Sequence, residues 1–194
     1  PKLQVWDQQI YDQLGALNED SVLIAHSLGC LSTLHYLSHA LKHQRIHKLI
    51  LVAGFNGRLG RLDQVNAFID PTVIDFELLK QQVAERVVIY SEGDDRVLPS
   101  FSLEQARSLN ARVIAAQHQG HFIDSEGCSE LPEVWQEISS VKAAKECKGK
   151  PTAIISNSVK GKGVSYMENQ VKWHGSAPND ELYAEAVAEI KARM

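Results

Sequence analysis

Cysteine is scarce: the 194 residues hold three, Cys30, Cys128 and Cys147. Odd in number, widely spaced and without a Cys-x-x-Cys pair, they cannot form a disulfide framework, so a reduced, cytoplasmic setting is expected. Long apolar runs are lacking too. None approaches the roughly 20 residues of a membrane span, and Pro1-Lys2-Leu3-Gln4 has no signal-peptide apolar stretch, so a soluble chain with no membrane partner is expected. Nor is there an excess of positive charge. Twenty Lys and Arg against 24 Asp and Glu give a formal net charge of −4, interspersed rather than gathered into the basic stripe that tracks a phosphate backbone. The aromatic residues are scattered, with no stacking platform for bases, and nucleic acid is excluded as a partner. Internal repeats and low-complexity tracts are missing as well. A chain that begins at Pro1 rather than Met reads as one whose start is a cut.

What is present is a βαβ rhythm. Apolar runs rich in β-branched residues cover 21–25, 48–53, 86–90, 112–116 and 152–156, with helical stretches at about 6–17, 29–43, 102–109, 132–148 and 180–193. Runs that are apolar on both faces suit parallel strands covered by helices, with right-handed crossovers. The expected fold is therefore α/β, a three-layer doubly wound sheet of about five mainly parallel strands with helices on both faces. In the last helix Leu182, Ala186 and Ile190 form a stripe, with Asn179 as N-cap. Residues 55–83, interrupted by Gly57, Gly60 and Pro71, read as a loop-helix excursion over the strand ends.

Three chemical signals follow predicted strands in the chain order Ser, Asp, His. Ala25-His26-Ser27-Leu28-Gly29 lies between a strand and a helix, where a tight turn lifts the Ser27 hydroxyl above the sheet edge; Gly29 is expected to permit that turn, with Ala25 as the small residue before it. Asp95, in Gly93-Asp94-Asp95-Arg96-Val97-Leu98-Pro99, is the expected carboxylate, and Asp94 is the alternative. His121, in Gly120-His121-Phe122, is the expected general base. All three sit at strand C-terminal ends, where open α/β sheets place their sites. His35, His39 and His43 repeat every four residues but have no carboxylate or cysteine at matched spacing, so a solvated helix face is expected and no metal site. Cys30, beside the elbow, reads as a buried small hydrophobe or a reactive thiol.

With Trp6, Leu23 to Cys30, Gly93-Asp94-Asp95, Pro99 and Gly120-His121-Phe122, residues 1 to about 140 resemble the small serine hydrolases of the retinoblastoma-binding protein nine and YdeN type. The resemblance implies a carboxylesterase-like triad of Ser27, Asp95 and His121 acting on a small ester. That family opens with a strand and a Gly-rich loop that have no counterpart here. The loop supplies one oxyanion donor and the residue after the nucleophile, here Leu28 through its backbone N–H, supplies the other. Loss of one donor lowers turnover by about 10²–10³.

From about Val141 the text changes. Gly149 to Ile155, Val159-Lys160-Gly161-Lys162-Gly163-Val164-Ser165-Tyr166-Met167-Glu168-Asn169, and Trp173-His174-Gly175 with Ala177-Pro178-Asn179 resemble the C-terminal end of the transketolase diphosphate-binding domain. In that family the position of His174 lies beside thiamine diphosphate. Lys160, Gly161 and Gly163 form a basic loop able to hold a phosphate, which makes a phosphate- or nucleotide-binding module an alternative. The chain lacks that family's Gly-Asp-Gly metal loop and pyrimidine domain, so these residues read as relics and no cofactor is expected. Leu131, Val134, Ile138, Val141 and Lys145 keep one apolar helix face across the seam.

Two families in one domain-sized chain imply recombined fragments: residues 1–140 hydrolase-derived and 141–194 a transketolase-derived strand, loop and helix, packed as one globular domain. The expectation is an engineered chimera with little or no catalysis, and the rival is a working promiscuous carboxylesterase. A truncated sheet edge would invite a homodimer.

Overall fold

The computed structural model describes residues 3–14, 16–60, 65–118, 120–144, 153–154, 164–167, 170 and 178–192. Five strands, β1 (Val22–His26), β2 (Ile46–Val52), β3 (Val83–Tyr90), β4 (Arg112–Ala115) and β5 (Ala153–Ile154), form one sheet in the order β4-β3-β2-β1-β5. Every neighbouring pair is parallel, as strands linked by helical crossovers must be. β1 is paired by β2 along its whole length and by β5 at Val22 and Leu23.

Side chains alternate across a strand, so β1, β2 and β3 each feed two cores. Leu23, Ala25, Leu49, Leu51 and Val88 face one way and meet Leu34 and Leu37 of α2 (Leu28–Ala40), Leu79 of α4 (Phe76–Gln82), and Ala106 and Leu109 of α5 (Pro99–Leu109). Val22, Ile50, Val52, Val87 and Ile89 face the other way and pack with Leu131, Val134 and Ile138 at α6 (Pro132–Ala144). Helices on both faces make three layers, as the sequence implies. Each fully buried leucine or isoleucine contributes about 1.5–3 kcal/mol relative to exposure.

A third cluster joins Leu3 and Trp6 of α1 (Leu3–Leu14) to Leu28 and Leu31 of α2 and to Phe55, Leu59 and Phe68. The Trp6 and Phe68 rings meet edge-on at 5.2 Å, and the cluster as a whole places the start of the 55–83 excursion against α1 and α2. That excursion carries two short helices, α3 (Asn66–Ile69) and α4. Asp75 starts α4 by accepting the Leu78 N–H at 2.9 Å, a cap that satisfies one orphan donor of the first turn.

The chain forms two compact units, Pro1–Ile155 and Ser156–Met194. Residue 140 lies within α6 of the first unit, and β5, paired with β1, belongs to that unit as well. In the second unit Asn179 caps α7 (Asp180–Ala192) by accepting the Leu182 N–H at 2.9 Å, as its sequence position predicts. Ala186 is buried, and Glu189 accepts from both the backbone and the hydroxyl of Ser165. Among the described residues no helix is long and apolar enough to cross a membrane.

Candidate active site

Ser27 occupies the turn between β1 and α2 with φ 55° and ψ −125°. Left-handed φ at a residue with a Cβ costs on the order of 1–2 kcal/mol, and the neighbouring strand holds it there. The Ser27 N–H donates to the Val52 carbonyl at 2.9 Å, and the Ser27 carbonyl accepts from the Cys30 N–H at 3.0 Å. The turn is therefore made by the nucleophile's own backbone. Gly29, expected to permit it, is not left-handed, and a Cβ there would meet nothing within 4 Å. A serine just before a helix ordinarily turns its hydroxyl onto the first-turn N–H groups. Ser27 makes no such bond.

Its hydroxyl goes instead to His121. Ser27 Oγ donates to Nε2 of His121 at 2.8 Å, and Nδ1 of the same ring donates to Asp94 Oδ2 at 2.8 Å. A carboxylate on Nδ1 fixes the tautomer that leaves Nε2 able to take the serine proton. His121 and Asp94 are buried, 6% and 3% exposed, so little water competes for these bonds.

The carboxylate at His121 is thus Asp94's, and the expectation of Asp95 is corrected: Asp95 is exposed to solvent. The loop geometry decides between the two. Asp94 Oδ1 accepts the N–H groups of Arg96 and Val97, both at 2.9 Å, turning the chain so that the other oxygen faces the imidazole while Asp95 faces out. Burial by itself would raise the Asp94 carboxyl. The hydrogen bond from His121, the two backbone donors and the imidazole charge outweigh burial and hold Asp94 below the ordinary carboxylate value.

Several supports have no signal in the sequence motifs. Ser91, at the end of β3, accepts from the Gly120 N–H at 3.0 Å and the Gly93 N–H at 3.2 Å, joining the acid and base loops. Glu126 accepts the His121 N–H and pairs with Arg96 at 3.4 Å, tying the same loops a second time. Gly120, at φ 127°, leaves room for Glu126: a Cβ there would lie 2.5 Å from its Oε2. On the elbow side, His26 Nε2 meets the His121 carbonyl at 2.8 Å.

Leu28 is the first residue of α2, and first-turn N–H groups have no partner inside their own helix. That N–H, at the positive end of the helix dipole, suits an oxyanion. Cys30 is fully buried and donates its thiol to the Val52 carbonyl at 3.4 Å. Burial pushes that thiol far above its ordinary value, so it is a structural hydrophobe and not a nucleophile.

On α2, His35 Nε2 lies 3.3 Å from Asp7 of α1 and its Nδ1 meets the Val73 backbone, while His39 Nδ1 donates to the His35 carbonyl. This face is partly tied to α1 rather than wholly solvated. Among the described residues no group of three or more His, Cys, Asp or Glu is placed to hold a metal. Lys160, Gly161, Gly163 and His174 lie outside the described residues.

Known proteins resemble this chain in sequence and in fold. A family model described as serine hydrolase matches residues 1–140. YdeN of Bacillus subtilis (strain 168) is 33% identical over 141 residues, 72% of this chain and 73% of its own. The crystal structure of YdeN has a TM-score of 0.69 at 32% identity, covering 74% of this chain and 76% of that one. A stretch of 45 residues, 23% of the chain, is 53% identical to an apulose-4-phosphate transketolase polypeptide of Phocaeicola vulgatus, of which it spans 16%.

Proposed function

We propose a reaction for a chain that belongs to the serine hydrolase family: hydrolysis of a small carboxylic ester through an acyl-serine intermediate. Ser27 Oγ attacks the acyl carbon as its proton passes to His121 Nε2, and the carbonyl electrons move onto an oxyanion facing the Leu28 N–H. His121 then gives that proton to the departing alcohol, and the acyl group stays on Ser27. Water, deprotonated by His121, attacks the acyl carbon, and the proton returns to Ser27 as the carboxylic acid leaves. Asp94 keeps His121 in the required tautomer and balances the imidazolium charge; it stays ionised throughout.

The observation that carries this reading is the Ser27–His121 hydrogen bond at 2.8 Å, taken in preference to a helix cap. It favours a working hydrolase over a chain whose triad is only a relic. The test is the rate of p-nitrophenyl acetate hydrolysis by the chain and by Ser27→Ala. A loss of several orders of magnitude in the variant is expected; equal rates would dispose of the proposal.

In the same reading the transketolase-like text acts in the architecture, not in chemistry: β5 lies within it and extends the sheet beside β1. Titration calorimetry with thiamine diphosphate and Mg²⁺ is expected to show no heat, and saturable heat would restore the phosphate-binding alternative.

A further inference from the structure

Two consecutive residues hold His121 from the same side. Ser27 Oγ bonds its Nε2 at 2.8 Å, and His26 Nε2 lies 2.8 Å from its backbone carbonyl. A carbonyl only accepts, so His26 carries the proton on Nε2 and is the donor. The two rings lie against each other, centroids 4.9 Å apart and tilted by 46°. With Glu126 accepting the His121 N–H, the base is held at both ends of its own backbone, and the next residue, Phe122, is left-handed at φ 57°.

We propose that His26 is a positioning residue for the hydrolytic reaction, docking the backbone of His121 onto the elbow so that nucleophile and base share one rigid frame. The proposal rests on the hydrolase reading above. Its physical basis is the closed ring that the two hydrogen bonds make: elbow backbone, His26 side chain, His121 carbonyl, His121 side chain, Ser27 hydroxyl. Without the His26 bond, the hydrogen bonds described above tie the backbone around His121 to the β3–α5 loop and to its own loop rather than to the elbow, and displacements along those segments add up at Nε2. Proton transfer is sensitive to such errors, since a misplacement of about 1 Å can lower the rate on the order of 10²-fold. The bond leaves substrate untouched, so its loss acts on turnover and not on binding.

The experiment compares the full chain with Ser27→Ala, His26→Leu and His26→Gln on p-nitrophenyl acetate. Glutamine keeps an N–H donor near the position of the imidazole Nε2 and leucine does not. His26→Leu is expected to lower kcat by about tenfold or more with KM changed by less than about twofold, and His26→Gln to restore kcat to within about threefold of the parent chain. A merely structural role would not produce this split and rescue. Should His26→Leu not fold, judged by its thermal transition, His26→Asn replaces it, because its shorter amide falls short of the carbonyl. The proposal is overturned if the donor-less variant keeps kcat within about twofold, or if His26→Gln falls as far as His26→Leu. Equal rates for the chain and Ser27→Ala would instead remove the hydrolase reading. The docking is then read from the NMR resonances of the His121 imidazole: displacement in His26→Leu with recovery in His26→Gln supports it, and unmoved resonances overturn it.

Discussion

The ammonium of Lys48, on β2 and 1% exposed, lies 3.3 Å from Glu137 Oε2 of α6 and 2.8 Å from Glu85 Oε2 of β3. Arg112 of β4 reaches the same Glu137 oxygen at 2.6 Å. Glu137 thus ties α6 to two strands of the sheet at a point where a buried charge needs partners. Removing one partner of such a pair typically destabilises by about 3–5 kcal/mol. Because Lys48 keeps Glu85, Glu137→Leu is expected near the lower figure, a fall in thermal midpoint of roughly 6–12 °C for a chain of this size. Calorimetry checks this; an unchanged midpoint would show the cluster to be energetically neutral.

The same carboxylate predicts a pH dependence. Burial would raise Glu137, but Arg112 and Lys48 outweigh it and hold the folded value below the ordinary one. A lowered folded value means stability that is present above the unfolded value of about 4.3 and lost as pH falls through the folded one. Asp94, also lowered, acts in the same direction. Denaturant midpoints of the parent chain are expected to fall below about pH 4, and more steeply than those of Glu137→Leu.

Asp94 and Asp95 are adjacent in sequence and opposite in environment. Asp94→Asn is expected to lower ester turnover by roughly 10³–10⁴, since an amide there no longer enforces the productive tautomer. Asp95→Asn is expected to stay within about twofold. The reverse pattern would return the role to Asp95.

Gly120→Ala places a methyl where Glu126 holds the His121 N–H, and a loss of turnover on the order of 10²-fold is expected. Gly127 supplies the control. It is also left-handed, at φ 80°, but a Cβ there meets nothing within 4 Å. Gly127→Ala is therefore expected to lose about 1 kcal/mol of stability and keep its rate.

Native alkylation with iodoacetamide is expected to leave Cys30 unmodified, with labelling appearing only on denaturation; mapped peptides decide this by mass spectrometry. Labelling of Cys30 in the folded chain at mild pH would contradict its burial.

Much of this was legible in the sequence wherever a local pattern carries the information. The apolar runs at 48–53 and 86–90 foretell β2 and β3 because parallel strands buried on both faces admit little else. The order of Ser27, acid and His121 foretells which loops meet. The start of α4 was missed: Asp75, three residues before Leu78, caps it, but Gly57, Gly60 and Pro71 blur the periodicity of that stretch. What stays hidden is long-range or decided by side-chain direction. Nothing local connects Lys48 to Glu137, 89 residues on, and the choice between Asp94 and Asp95 rests on which carboxylate turns its loop. Gly29 misleads because motif spacing does not reveal that Ser27 itself bears the left-handed backbone.

The support of β1 is lopsided. β2 flanks it from Val22 to His26, whereas β5 reaches it, among the described residues, only at Val22 and Leu23, the end away from Ser27. The nucleophile, base and acid all hang from β1, β3 and β4. Peeling of β5 would therefore leave the hydrolytic machinery seated, so mechanical or thermal fraying there and the loss of chemistry are separate events.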